Sequence, residues 1–372
     1  MRILYYFKEK DRMMDKWQRY HIFNELERHN CYITVYNPLE YSTVEEANDR
    51  LIEFIDKYPF DLFMTPHGNE TLFIESLLEI KRKGIPTLLI CFDNLIVPFN
   101  HHKIAPYFDL VWLTSKETER LFVSWGANVI FNPYAANPHY FKPRYDKEID
   151  RVAFIGTPYG SRVNMLNLMT ENEVNVNLHA NISSPNNQVA QSKPHKMMEY
   201  IQPVYNLIRF GIGRRVLLGA LKQKFLGTHK LDIHTNFLEM KPPVGLDKLS
   251  ELYSNYALSL ASTTARNTGV LRHPVHIVNL RSFEIPMSGG LQICSYFEEL
   301  AKYFEEDKEI IFYRSNDEFI EKLRFYLRTE NENIRMKMKL AARKRAESEH
   351  TWLHRFKKVF DYFGLPYTGN ER

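Results

Sequence analysis

Asn279-Leu280-Arg281-Ser282-Phe283-Glu284-Ile285-Pro286-Met287-Ser288-Gly289-Gly290-Leu291-Gln292-Ile293-Cys294 is the stretch on which the reading of the chain turns. It predicts a short helix with Arg281 and Glu284 near its start, stopped at Ser288-Gly289-Gly290. An apolar run from Leu291 to Cys294 comes next, with the length and composition of a buried strand. A helix start offers unpaired N–H groups and partial positive charge, which suit a phosphate. A carboxylate beside it accepts hydrogen bonds from sugar hydroxyls, so the combination suits a nucleotide sugar.

Working outward, strands and helices alternate on both sides of this stretch. Residues 2–7 read as a strand, Lys16 to His29 as a helix with Trp17, Tyr20, Ile22, Phe23 and Leu26 inward, and Tyr32 to Tyr36 as a second strand. The pattern continues through Val44 to Lys57, Asp61 to Thr65, Glu70 to Lys83, Thr87 to Phe92, Lys116 to Trp125 and Asn128 to Phe131. Alternation of this kind means a mostly parallel sheet, with ligands beyond the strand C-terminal ends. His67 and Asp93 fall there. The turn-rich, proline-containing run from Asn132 to Asp150 reads as an interdomain linker.

A second unit opens with the strand Arg151 to Gly156. Its loop, Gly156-Thr157-Pro158-Tyr159-Gly160-Ser161-Arg162, leads into a helix from Val163, a phosphate-cradling arrangement with Arg162 as counter-charge. Asn175 to His179, Leu231 to His234, Ala257 to Ala261 and Glu309 to Tyr313 are further expected strands, and residues 181–194 an expected polar loop. Between them, Arg209, Arg214, Arg215, Lys222 and Lys224 interleave with apolar residues. Such a basic amphipathic segment, residues 203–226, can lie on an anionic membrane as a peripheral contact or grip a phosphorylated lipid acceptor, and its plainer reading is a core helix with a solvated basic face. Ser262 to Gly269, with Arg266, is a polar loop expected on the ligand side.

At 372 residues, two domains are the default expectation. The formal charge of +4 is too small to imply nucleic-acid binding by itself, and 25% charged with 44% apolar residues is ordinary for a globular protein. The three cysteines, Cys31, Cys91 and Cys294, are far apart and without metal spacing, which fits reduced, buried thiols. No apolar run reaches the ~18 residues of a spanning helix, and charges come directly after the first strand. A cytoplasmic, at most membrane-associated, protein is expected.

Arg281-x-Phe283-Glu284-Ile285-Pro286-x-x-Gly289-Gly290, then Glu298-Glu299-Leu300, Lys308-Glu309-Ile310 and His350-Thr351-Trp352-x-His354-Arg355, also carry a resemblance. The order and spacing resemble the C-terminal half of the CgeB-like (spore-coat-protein-like) glycosyltransferases, closely over about residues 240–360 and loosely back to about residue 85. The resemblance implies an α/β GT-B fold: two Rossmann-like domains facing a central cleft, with the last helix crossing back to the N-terminal domain. The expected boundaries are 1–146 with 351–372 for the acceptor domain, and 147–350 for the donor domain with a basic insertion at about 195–230. Retaining GT-B enzymes often carry two glutamates with seven residues between them, the second binding ribose. Glu284 matches the second, and the first falls on His276. That departure removes a carboxylate expected beside the donor sugar and leaves the stereochemical outcome open.

Glycosyl transfer needs the departing nucleoside diphosphate stabilised and, in inverting enzymes, a base for the acceptor hydroxyl. No Asp-x-Asp stands in a suitable loop to hold a divalent metal, so no metal and no cofactor are expected, and the charge falls to Arg162, Arg266 or Arg281. Gly156, Thr157, Tyr159, Ser288, Gly289 and Gly290 complete the expected donor site. His67, with its near-neutral intrinsic pKa, and Asp93, expected to be desolvated at a strand end, are candidate bases, and His276 a candidate for assisting departure. Each has a plainer reading: a turn or helix cap for His67 and Asp93, a loop residue without a role for His276, and a helix-capping or ion-pair role for Glu284. The expected partners are a nucleotide sugar and a glycan, lipid-linked or protein acceptor in envelope or surface-glycan assembly. A nucleotide-sugar epimerase on the same scaffold and a non-catalytic binding module are the alternatives.

Overall fold

Two units account for the chain: Met1–Asn137 with the C-terminal segment from Thr351, and Pro138–His350. The computed structural model describes residues 1–10, 13–180, 198–226, 230–265 and 267–367, with only the backbone described for 13–15 and 198–200. The loop expected at 181–194 and Arg266 lie outside the described residues.

The first unit begins with β1 (Arg2–Tyr6), α1 (Met13–Gln18), a π-helical turn (Arg19–Phe23), α2 (Asn24–Glu27) and β2 (Tyr32–Tyr36). It goes on through α3 (Val44–Lys57), β3 (Leu62–Thr65), α4 (Ile74–Arg82), β4 (Thr87–Cys91), β5 (Leu110–Leu113), α5 (Glu119–Ser124) and β6 (Val129–Phe131). All its strands pair in parallel, in the order β2-β1-β3-β4-β5-β6. Central strands β3, β4 and β5 are buried at every residue, as continuous apolar runs covered on both faces should be. α3 starts where it does because Thr43 accepts a hydrogen bond from the Glu46 N–H at 3.1 Å, and it buries Ala47, Leu51 and Ile55 at one-turn spacing.

The single helix expected from Lys16 to His29 is interrupted. The π turn adds a residue to the helical cycle and rotates the rest of the helix, so Gln18, His21, Ile22, Glu25 and Leu26 face inward while Tyr20 is exposed. A period-3.6 reading has no way to anticipate that slip.

The second unit contains β7 (Ile149–Ile155), α6 (Ser161–Glu171), β8 (Val176–His179), α7 (Met198–Ile208), α8 (Gly211–Leu226), β9 (Leu238–Lys241) and α9 (Leu246–Asn255). It is completed by β10 (Tyr256–Leu260), α10 (Arg281–Met287), β11 (Gln292–Ser295), β12 (Ile311–Tyr313), α11 (Asn316–Tyr326) and α12 (Glu332–Glu349). Its sheet is also parallel, ordered β12-β11-β10-β7-β8-β9. The expected strand from Leu231 to His234 is irregular chain. Leu231 is buried in the core, and the edge strand is β9, in register with β8 from Val176 beside Leu238.

Residues 138–148, read from sequence as linker, are tied into this second unit. Phe141 is fully buried, the Arg144 N–H donates to Ser254 Oγ at 3.0 Å, and the Asp146 N–H donates to Asn255 Oδ1 at 3.1 Å. Glu148 is the strongest tie. It accepts from the Arg335 guanidinium and from Lys339 Nζ at 2.9 Å, and both cations, on α12, are almost fully buried. Burial alone pushes the Glu148 carboxyl up, but the two cations outweigh it and hold it below the usual carboxylate range.

After α12 the chain rejoins the first unit as α13 (Trp352–Phe363), the crossing helix that the GT-B resemblance implied. Trp352, Phe356, Val359 and Phe360 are fully buried, and Trp112 meets Phe356 edge-on at 5.1 Å. The helix start is held by Glu25, which accepts from the Trp352 N–H at 3.2 Å and the Leu353 N–H at 2.8 Å. Burial pushes the Glu25 carboxyl up to about 7, against the pull of these N–H groups and of Arg355.

Two outcomes are expected. Glu148→Ala leaves Arg335 and Lys339 as buried, uncompensated cations and should cost about 3–5 kcal/mol in urea denaturation; a loss under about 1 kcal/mol would show that the network is not needed. Glu25, with its folded-state pKa above the ordinary 4.5, binds its proton more tightly when folded. Its contribution is therefore fully present below pH about 4.5 and is lost as pH rises through about 7. The urea midpoint of the native protein should fall over that window relative to Glu25→Gln, and parallel curves for the two proteins would refute the assignment.

Candidate active site

Numbered from its own first strand, the second sheet runs 3-2-1-4-5-6, so strand order reverses between β7 and β10, the switch point beside which open parallel sheets bind ligands at strand C-terminal ends. The loop after β7 stands at that point. Gly156 has a φ of 140°, and a Cβ there would lie 2.7 Å from Arg281 Nη2, so only glycine admits the guanidinium against the loop. Gly160, with φ 54°, then turns the chain into α6.

Arg162, one residue into α6, lies over the Tyr159 ring at 4.3 Å and donates to the Thr157 carbonyl at 3.2 Å. Burial, opposed by Tyr159 and reinforced by the charge of Arg281, lowers its pKa from the ordinary value. Two guanidinium groups therefore share one loop. Burial raises the phenol pKa of Tyr253, which also feels the charges of Arg281 and Glu284. Glu284 sits in the first turn of α10 and is only 4% exposed. Gly156, Thr157, Tyr159, Arg162 and Arg281 are thus brought to one place, with Glu284 beside Tyr253.

The segment between β10 and α10 pairs with itself: Thr264 bridges His276 in antiparallel fashion, and Ala265 N–H to Val275 O and Ile277 N–H to Thr263 O each measure 2.8 Å. Thr268 clamps this arm by donating to Ala265 O and accepting from the Val275 N–H. His276 stacks on Phe297 at 5.2 Å, and burial, with Arg215, lowers its pKa. Its Nδ1 and the Thr263 hydroxyl are buried without a hydrogen-bond partner among the described residues. An uncharged imidazole is what this position supplies. Tyr253, Thr263 and Thr268 were not singled out from sequence; the polar run from Ser262 was the one signal for the last two.

Ser288, Gly289 and Gly290 stand at the opposite end of α10 from Arg281. Gly289, with φ 73°, closes the helix where a Cβ would meet Tyr145 and Pro143, and a Cβ on Gly290 would lie 2.7 Å from the Tyr253 carbonyl. All three are buried and turn the chain into β11.

In the first unit, strand order reverses between β1 and β3, and His67 lies just past β3. Its Nε2 accepts the Lys8 N–H at 2.8 Å, and its ring stacks on Phe7 at 5.6 Å. Burial, with Lys8 and His101, holds its pKa down to about 4, so it is neutral near pH 7 with its one lone pair in use. Gly68 is required where it stands, because a Cβ would collide with the Asn100 carbonyl. Asp93, expected to be desolvated, is instead exposed. Its φ is 53°, and Tyr134 holds it, accepting its N–H and donating to its Oδ1, each at 3.3 Å. Asn94, fully buried, fastens this turn to the one after β5 by accepting the Thr114 and Ser115 N–H groups at 3.1 and 3.0 Å. Among the described residues no group of three or more His, Cys, Asp or Glu side chains is placed to hold a metal ion.

Residues 214–361 match the family model described as "Glycosyl transferase-like". No curated protein matches the sequence. Among solved structures, the sucrose-phosphate synthase (tll1590) from Thermosynechococcus elongatus is similar over 98% of each chain, with a TM-score of 0.53 at 12% identity. Anabaena Alr3699/HepE in complex with UDP and glucose is similar over 98% of this chain and 99% of its own, with a TM-score of 0.55 at 10% identity. AviGT4, a glycosyltransferase involved in avilamycin A biosynthesis, is similar over 97% of each chain, with a TM-score of 0.52 at 14% identity. The chain has the GT-B fold of two Rossmann-like domains, and its C-terminal part is similar in sequence to glycosyl transferases.

Proposed function

We propose that the protein is a glycosyltransferase of the hexosyl-transferring type, related to the CgeB-like enzymes, that takes a sugar from a nucleoside diphosphate donor. The observation that carries this reading is the placement of Arg281 against Gly156, with Arg162 on the same loop and Glu284 in the first turn of the helix that carries Arg281. The amide-rich loop and two guanidinium groups suit a diphosphate, and the Glu284 carboxylate suits vicinal ribose hydroxyls. The neighbours support it, since HepE is described in complexes with UDP-glucose and UDP.

Charge on the departing diphosphate falls to the two arginines in a metal-independent mechanism, with no added cofactor. His276, uncharged, is a hydrogen-bonding group for the donor sugar or its phosphate. The first unit carries the acceptor, a glycan, a lipid-linked group or a protein. There Asp93, exposed and fixed by Tyr134, suits the base for the acceptor hydroxyl better than His67, whose lone pair is already engaged.

Calorimetry with UDP-, GDP-, TDP- and CMP-sugars tests the donor site. Binding of at least one is expected, and Glu284→Ala should weaken it by about 1–3 kcal/mol. No binding of any of them would end the proposal, and an unchanged dissociation constant would take Glu284 out of the site. Asp93→Asn keeps a residue tolerant of the left-handed backbone and should lower kcat by roughly 10²–10⁴ with donor KM little changed. A drop of less than about tenfold would remove Asp93 from proton transfer.

A further inference from the structure

α8 is apolar on two opposite sides. Gly213, Val216, Gly219 and Gln223 face inward, and a Cβ on Gly219 would lie 2.8 Å from the Asn267 carbonyl, so the helix backbone rests directly on the arm that carries His276. Arg215 fixes it further by donating to the carbonyl of His273. The outward side carries Leu218, Leu221 and Phe225, at spacings of three and four residues, and Phe225 is 88% exposed.

α7 repeats the pattern with Ile201, Val204, Tyr205 and Ile208, all exposed at one-face spacing. Seven large apolar side chains on two consecutive helices are too many for scattered surface residues, and such a patch marks an interaction surface. Its charge says what it meets. The two helices, residues 198–226, hold five cations, Arg209, Arg214, Arg215, Lys222 and Lys224, and one acid, Glu199, in the first turn of α7. Lys222 and Lys224 flank the exposed stripe of α8 and are themselves exposed.

We propose that the α7–α8 segment lies on the surface of a bilayer containing anionic lipid, its exposed apolar stripes entering the headgroup boundary and its cations meeting lipid phosphates. Rings and aliphatic chains at this density, framed by five cations against one acid, match the requirements of an interfacial helix. Among the described residues no helix is long and apolar enough to cross a membrane, so the contact lies along the surface. Because Gly219 holds α8 against Asn267, beside the His276 arm, a bilayer seated here lies next to the donor-binding unit's ligand end.

The test uses the full chain and sedimentation with vesicles of phosphatidylcholine, alone or mixed with phosphatidylglycerol. The native protein should sediment with the mixed vesicles only, and salt should weaken the association. Lys222→Glu with Lys224→Glu should lower partitioning by at least about tenfold, and Leu218→Ser with Phe225→Ser should do likewise at unchanged charge. All four positions are exposed, so melting curves should match the native protein. Equal sedimentation of native and variant proteins, no affinity for the mixed vesicles, or an apolar face covered by self-association in solution would each overturn the proposal. None of these readouts depends on donor binding, so they stand apart from the fate of the glycosyltransferase reading.

Discussion

Parallel pairing is the constraint from which the architecture derives. A strand entered from the same end as its neighbour must be reached by a crossover, and the helices that make those crossovers bury both faces of the sheet. Every loop at a strand's C-terminal end then gathers on one side. In the second unit the reversal between β7 and β10 sends successive crossovers to opposite sides, so the loops after these two strands diverge. The gap is where Arg281 comes down on Gly156. In the first unit the same constraint brings the turns after β3 and β4, with His67 and Asp93, to one edge.

In the second unit two guanidinium groups meet at the loop after β7, an arrangement that suits the diphosphate proposed for it. Burial lowers the pKa of Arg162, Tyr159 opposes the shift, and the like charge of Arg281 adds to it. The buried network at Glu148 is the opposite case, with one carboxylate answering two cations, and it ties α12 to the residue before β7.

What was legible in the sequence is what periodicity and turn chemistry control. β2 and α3 fall within the residues expected of them, because Tyr32 to Tyr36 is bounded by charged or turn residues and Thr43 caps the helix after it. β9 was missed because Leu238-Glu239-Met240-Lys241 is half charged, as an edge strand can be, while Leu231 to His234 looked more apolar. The π turn at Arg19–Phe23 left no compositional trace. At the site, Gly156, Arg162, Arg281 and Glu284 announced themselves through glycine and charge near helix starts. Three things stayed out of sight, because each depends on tertiary packing: Tyr253 near the charges of Arg281 and Glu284, the engaged lone pair of His67, and the packing of Gly289 against Tyr145 and Pro143.

The segment beginning at Thr351 belongs to the first unit although more than two hundred residues of another unit separate it from Asn137. During synthesis the whole of the second unit leaves the ribosome before α13 does, and until then Trp112 and the inward carboxylate of Glu25 lack the partners they have in the finished protein. The first unit is thus the last to be finished, and nascent chains stalled short of Trp352 would leave Trp112 without Phe356 for chaperones to guard.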